Sequence, residues 1–191
     1  MEKSCLLPSF VDLCCGAGGF SYGFKKAGWQ PLLGVDACHK SLQSYARNVC
    51  SNTLEIDLLK RNAANEITKK LQGQSLDAII FGAPCQGFSR AGRRDPKDKR
   101  NRVLLACARI AVRLNSRMIV FENVPYLAKK PFSTFLQKTK SIFRKSGYEI
   151  LQFEMQAGKF RIAQRRMRLF LIAFKSIPKK SVETAIKCLL D

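Results

Sequence analysis

The sequence predicts an α/β fold: a seven-stranded, mainly parallel sheet with one antiparallel strand and helices on both faces. Three observations carry this. Short apolar runs recur along the chain and alternate with segments of helical period, the pattern of βαβ units. The first run opens into a glycine cluster followed by a helix, an arrangement that lets backbone approach a ligand at a strand end. The last two runs have no helical segment between them, so they are antiparallel neighbours rather than another crossover.

The elements follow in order. Residues 10–13 form a strand ending in the glycine-rich loop, and residues 20–27 form a helix that stops before Gly28. Residues 32–35 are the second strand. Residues 39–48 are an amphipathic helix, with Leu42, Tyr45, Ala46 and Val49 on one face. Residues 54–56 give a weaker third strand, and residues 78–81 a clearer fourth, bounded by Asp77 and Gly82. Residues 103–114 and 132–145 are helical, the second closed by Gly147 at a C-cap-like position. Residues 118–121 are the fifth strand; residues 148–155 and 169–174 are the last two, joined by a stretch rich in Gly, Lys and Arg. The longest piece without periodicity is 82–100, and long loops within compact domains usually carry function.

Composition narrows the function. The chain has 191 residues, with 34 Lys and Arg against 14 Asp and Glu, a net charge of +20. Residues 1–89 hold 9 basic and 7 acidic side chains; residues 90–191 hold 25 basic and 7 acidic. A near-neutral half joined to a strongly basic half implies two jobs, the basic one directed at a polyanion. An apolar content of 46% is enough for a packed core. The longest apolar runs are far too short to span a bilayer, so no membrane is expected. The first residues contain neither a long apolar segment nor a small-residue cleavage site, which predicts an intracellular protein, in cytoplasm or nucleoid if bacterial and in the nucleus if eukaryotic. Eight cysteines include no pair at C-x2-C to C-x4-C spacing, so no metal is expected, and reduced thiols are expected rather than disulfides.

Four motifs carry chemistry. In the first, Asp12 ends a strand that runs into Gly16, Gly18 and Gly19, and Asp36 stands at the end of the next strand about twenty residues on. Glycines admit a ligand, a helix N-terminus takes an anionic group, and the second carboxylate suits ribose hydroxyls. The second is Gly82-Ala83-Pro84-Cys85-Gln86-Gly87-Phe88-Ser89, beyond the end of a buried strand. A cysteine there, in a loop crowded with arginine, fits an activated thiolate. The third is Glu122-Asn123-Val124, closing an apolar strand. The fourth is Gln164-Arg165-Arg166-Met167-Arg168, opening the last strand.

Together these motifs, with Asp98-Lys99-Arg100-Asn101 between them, resemble the cytosine-C5 DNA methyltransferase family over roughly residues 9–174. The resemblance implies the Rossmann-like fold of AdoMet-dependent methyltransferases and a catalytic domain over residues 1–175, with residues 176–191 a short extension. It implies S-adenosyl-L-methionine (AdoMet) as cofactor and DNA as partner. Cys85 would attack C6 of a cytosine, Glu122 would bond its N3/N4 edge, Arg168 its O2 side, and Arg166 would orient the loop bearing Cys85. Gly16, Gly18 and Gly19 would surround the methionine part of the cofactor, with Asp36 on the ribose, Asp57 near the adenine amino group, and Asp12 and Pro84 lining the pocket. Gln86, Ser89, Arg90, Arg93, Arg94, Arg100 and Gln164 would contact nucleic acid, with Lys97 and Lys99 as further phosphate contacts.

Three departures from the family pattern are visible. Cys14 stands where the family has Phe. Arg161-Ile162-Ala163-Gln164 stands where it has Gly-x-Pro-Gln. The chain also ends before a target-recognition domain and a final helical segment, so it is expected to be either one subunit of a split enzyme, partnered by a second polypeptide, or a truncated catalytic domain. Three rivals compete: a tRNA cytosine-C5 methyltransferase, an inactive nucleic-acid-binding fragment, and a NAD-type oxidoreductase suggested by the glycine loop alone. The last leaves Pro84-Cys85-Gln86 unexplained.

Overall fold

The computed structural model describes residues 7–84, 95 and 98–190. They fall into two compact units, Met1–Gly82 and Ala83–Asp191.

In the first unit, β1 (Ser9–Leu13), β2 (Gln30–Asp36), β3 (Thr53–Glu55) and β4 (Ala78–Phe81) lie in the order β3-β2-β1-β4, all parallel. Each connection is a helix: α1 (Gly19–Lys26), α2 (His39–Asn48) and α3 (Ala63–Leu71). Every residue of β1 and β4 is buried, as expected where helices cover both faces of a parallel sheet. That is why those strands read as continuous apolar runs. Phe24 of α1 sits against Phe10 of β1 and Trp29, with ring centroids 5.4 and 5.5 Å away. The start of β1 is pinned beside β4 by the Ser9 N–H, which donates to Asp77 Oδ2 at 2.9 Å.

The second unit contains α4 (Asn101–Leu114), β5 (Met118–Asn123), α5 (Ser133–Lys145), β6 (Glu149–Gln156), β7 (Met167–Phe174) and α6 (Lys179–Leu190). β7 lies between β5 and β6 and runs antiparallel to both. All seven expected strands are thus present, and β7 is the reversed one. Its core includes Leu104, Ile119, Phe121, Phe143, Leu169 and Leu171, each without exposed surface.

Two helices escaped the sequence reading. The buried stripe of α3 is Ala63, Ala64, Ile67 and Leu71, half alanine and set among polar residues, so its apolar signal is thin. α6 has no buried residue at all. Strand ends also shifted: the β6–β7 ladder runs from Glu149 opposite Phe174 to Gln156 opposite Met167, so β7 starts two residues before the expected point. Among the described residues no helix is long and apolar enough to cross a membrane, and no group of three or more His, Cys, Asp or Glu could hold a metal.

Candidate active site

The first unit gathers its ligand-directed residues at the ends of β1, β2 and β3. Beyond Leu13 the chain turns with Cys14 at φ 60°, Gly16 at 53° and Gly18 at 96°. Gly18 has a double reason to be glycine. Besides its φ, an added Cβ would sit 2.6 Å from Val49 Cγ2 and 3.0 Å from the Tyr45 ring. At Gly16 and Gly19 a Cβ would meet nothing within 4 Å, so the loop is open on that side. The Cys15 N–H donates to the Val35 carbonyl at 3.0 Å, and the Gly16 N–H to Asp36 Oδ2 at 2.9 Å. Asp36 Oδ1 accepts the Cys38 N–H at 2.9 Å. Asp36 therefore ties the glycine loop to the start of α2, and its remaining lone pairs are what a ligand hydroxyl would meet. Asp57, exposed beyond β3, accepts the Leu59 N–H at 2.9 Å.

Asp12 lies under this loop, 1% exposed. Its Oδ2 accepts the Ser21 hydroxyl at 2.6 Å, and Ser21 Oγ is 3.0 Å from the Tyr45 hydroxyl. Its Oδ1 is buried without a hydrogen-bond partner. Burial, opposed by the Ser21 bond and aided by the charge of Asp36, pushes the Asp12 carboxyl up to about 8. The same burial pushes the Tyr45 hydroxyl and the Cys15 thiol upward. A neutral Asp12–Ser21–Tyr45 chain thus links β1, α1 and α2. The sequence flagged Asp12 but missed Ser21 and Tyr45, since Tyr45 read simply as part of an apolar helix face.

The second unit brings together three of the expected catalytic residues. Glu122 lies near the end of β5, opposite Phe170 of β7. Arg168 Nε is 2.6 Å from Glu122 Oε1, and Arg166 Nη2 is 3.9 Å from the same oxygen. Glu122 and Arg168 side chains are 23% and 21% exposed, while Arg166 is 49% exposed. The pair is thus partly sheltered from solvent.

The neighbouring Asn123 is 2% exposed and was not singled out as a site residue. Its Nδ2 donates to the Ala83 carbonyl at 3.0 Å, and its Oδ1 accepts the Val124 N–H at 2.9 Å. It therefore fixes the backbone directly before Pro84. Asn101 Nδ2 does the same for the Asp95 carbonyl, at 2.9 Å. An amide side chain at the end of a buried strand, and another opening a helix after a long loop, were the available signals. Arg100 is turned onto Asp98 through contacts of 2.6–3.1 Å, so its charge is already partly offset. Gln164 is exposed. Cys85, Gln86, Ser89, Arg90, Arg93, Arg94 and Lys97 lie outside the described residues.

A family model for the C-5 cytosine-specific DNA methylase matches residues 8–187. The chain belongs to this family. It is 33% identical over 182 residues to the type II methyltransferase M.XorII of Xanthomonas oryzae, which covers 90% of this chain and 42% of that protein. Among solved structures, a prophage-encoded E. coli protein assigned to the DNA modification methyltransferases superposes with a TM-score of 0.76 at 26% identity, covering 92% of this chain and 48% of the other. The S. pombe Dnmt2 methyltransferase shares the fold, with a TM-score of 0.70 at 19% identity over 89% of this chain and 51% of the other. The chain spans about half the length, or less, of these relatives.

Arg161, which by the resemblance stands where the family has glycine, has a φ of 59° and a ψ of 22°, in the left-handed region that glycine favours, which strains the approach to β7.

Proposed function

We propose that the chain supplies the catalytic part of a methyltransferase that transfers a methyl group from AdoMet to C5 of cytosine in DNA. The observation that carries this is the Glu122–Arg168 pair at 2.6 Å, beside an Asn123 that bonds the backbone leading into Pro84 and Cys85. Family membership supports both substrate and reaction.

The first unit fits the cofactor. The open side of the glycine loop admits it, the first N–H groups of α1 suit its carboxylate, and Asp36 and Asp57 stand at successive strand ends for ribose and adenine. Pro84 lines the pocket by resemblance. When bound, AdoMet supplies an electrophilic methyl on a sulfonium.

The second unit acts on the base. The Cys85 thiolate adds to C6, and the electron pair of the C5–C6 bond moves to C5. Glu122, oriented by Arg168, bonds the N3/N4 edge, where charge accumulates. Once C5 has gained its methyl, its proton leaves to a base, the C5–C6 bond re-forms and the thiolate departs. A base inside a duplex must be extruded for this, at a cost of a few kcal/mol. Glutamine and arginine contacts from the loop at 86–100 and from Gln164 would hold the opened strand.

The relatives are about twice as long as this chain, and we place the reading of the target sequence in that further half, on this polypeptide or on a second one. A DNA substrate implies an intracellular setting, and the type II relatives suggest restriction-modification. With the target-reading half present, tritium from methyl-labelled AdoMet is expected in duplex DNA and absent from tRNA. Label surviving Cys85→Ala, or confined to tRNA, sinks the reading.

A further inference from the structure

Tyr45 of α2 has no exposed surface, so it cannot itself touch a ligand. It packs with Leu42, Val49 and Cys15 in an apolar cluster. What sets it apart is what stands against its ring. A Cβ added at Gly34 of β2 would lie 2.6 and 2.7 Å from ring atoms Cζ and Cδ1, and closer still to Cε1. A Cβ added at Gly18 of the glycine loop would lie 3.0 and 3.5 Å from Cδ2 and Cε2, the atoms of the opposite edge. One edge of the ring therefore rests on the strand and the other on the loop. Gly34 is not in the left-handed region, so it is the close ring that excludes a side chain there.

The ring is fastened in this gap. Its hydroxyl is 3.0 Å from Ser21 Oγ, which donates to Asp12 Oδ2 at 2.6 Å. One turn on, the Lys25 ammonium donates to the Val49 carbonyl at 2.8 Å, which ties the end of α2 to α1. Asp36, two residues beyond Gly34 and on the same face of β2, accepts the Gly16 N–H. The loop is thus located at two points, Gly16 by a carboxylate and Gly18 by an aromatic ring. The Gly18 N–H, donating to the Cys15 carbonyl at 3.0 Å, closes the turn between them. An apolar helix face needs only bulk, which leucine would supply. Leucine lacks the flat, rigid width that reaches both glycines, and in a close-packed interior a missing width is felt by the neighbours.

We propose that Tyr45 is a positioning residue for AdoMet binding: its ring, wedged between Gly34 and Gly18, sets where the glycine loop stands relative to β2. The ring carbons meet both glycines, while the hydroxyl only fastens the ring to Ser21. That the loop serves AdoMet rests on the function proposed above; that the ring locates the loop does not.

The test uses the full chain and the variants Tyr45→Phe, Tyr45→Leu, Gly34→Ala and the last two combined, at a temperature where circular dichroism shows each folded. Titration calorimetry reads AdoMet affinity. Hydrogen exchange of the Cys15, Gly16 and Gly18 amides, without ligand, reads the loop itself, with the β5 amides as the control for global opening. Tyr45→Phe keeps the ring and should stay within about threefold of wild-type affinity. Tyr45→Leu should weaken AdoMet about tenfold or more and speed exchange in the loop but not in β5. Gly34→Ala should push the ring against Gly18 and weaken binding too. The combined variant should lose less than the product of the two single losses, because the added methyl takes up part of the space the ring has left. Losses that simply multiply, a tenfold loss in Tyr45→Phe, or wild-type affinity and exchange in Tyr45→Leu overturn the proposal. Where Tyr45→Leu does not fold, unchanged affinity and exchange in Gly34→Ala overturn it. A wild type that binds no AdoMet, with loop exchange still following the ring, removes the cofactor reading and keeps the positioning role.

Discussion

A carboxyl group without exposed surface, such as that of Asp12, keeps its proton to unusually high pH because ionising it strands a charge away from water. Its folded value of about 8 lies above the ordinary 3.8, so the folded chain binds more protons than the unfolded one between those values. The stability it contributes is complete below about pH 4 and is lost as pH rises through 8. Urea midpoints measured across that window should fall in the wild type and stay nearly flat in Asp12→Asn. Asn123→Ala leaves the Ala83 carbonyl and the Val124 N–H without their partner, which should cost about 1–3 kcal/mol in urea unfolding. Arg161→Gly should act in the other direction. Relief of the left-handed strain, about 1–2 kcal/mol, exceeds the entropy glycine adds to the unfolded chain, so the melting temperature should rise. At this scale the sequence revealed residues whose type is chemically unusual for their place, such as Glu122 at the end of an apolar strand. Residues whose role depends on who their neighbours are, such as Ser21 and Asn123, emerged only with the contacts.

Elements were legible where burial is two-sided. β1 and β4, closed on both faces, announce themselves as apolar runs, and α4 as a broad stripe that includes Leu104, Cys107, Ala108 and Ala111. α6 was not legible because no side chain of it is buried, leaving a polar sequence with no apolar face to read. The reversed sense of β7 was legible from the missing crossover helix, a constraint of connectivity rather than of residue preference. The joint between α1 and α2 gives a test at this scale. Gly18→Ala places a methyl 2.6 Å from Val49 and demands a φ of 96°, so α1 and α2 must part. Titration calorimetry should show a loss of AdoMet binding of tenfold or more, along with a lower melting temperature, while Gly19→Ala should do neither as strongly, its added Cβ meeting nothing within 4 Å.

Across the whole chain the charge follows the division into units: residues 1–82 hold 9 basic and 7 acidic side chains, and residues 83–191 hold 25 and 7. Composition therefore divides the charge along the same line as the fold divides the chain. The salt dependence of duplex binding by fluorescence anisotropy should be steep: six or more phosphate contacts imply a loss of about a thousandfold in affinity between 50 and 200 mM salt. Binding that hardly changes over that range would show that these cations do not meet phosphate. The two asparagine bonds have a further consequence. Asn123 holds the backbone at Ala83 and Asn101 holds it at Asp95, so the segment between is tethered at both ends by side chains that belong to the helix and strand of the second unit. Both anchor points thus move with α4 and β5, so a change at either asparagine shifts where the chain is held on one side of that stretch.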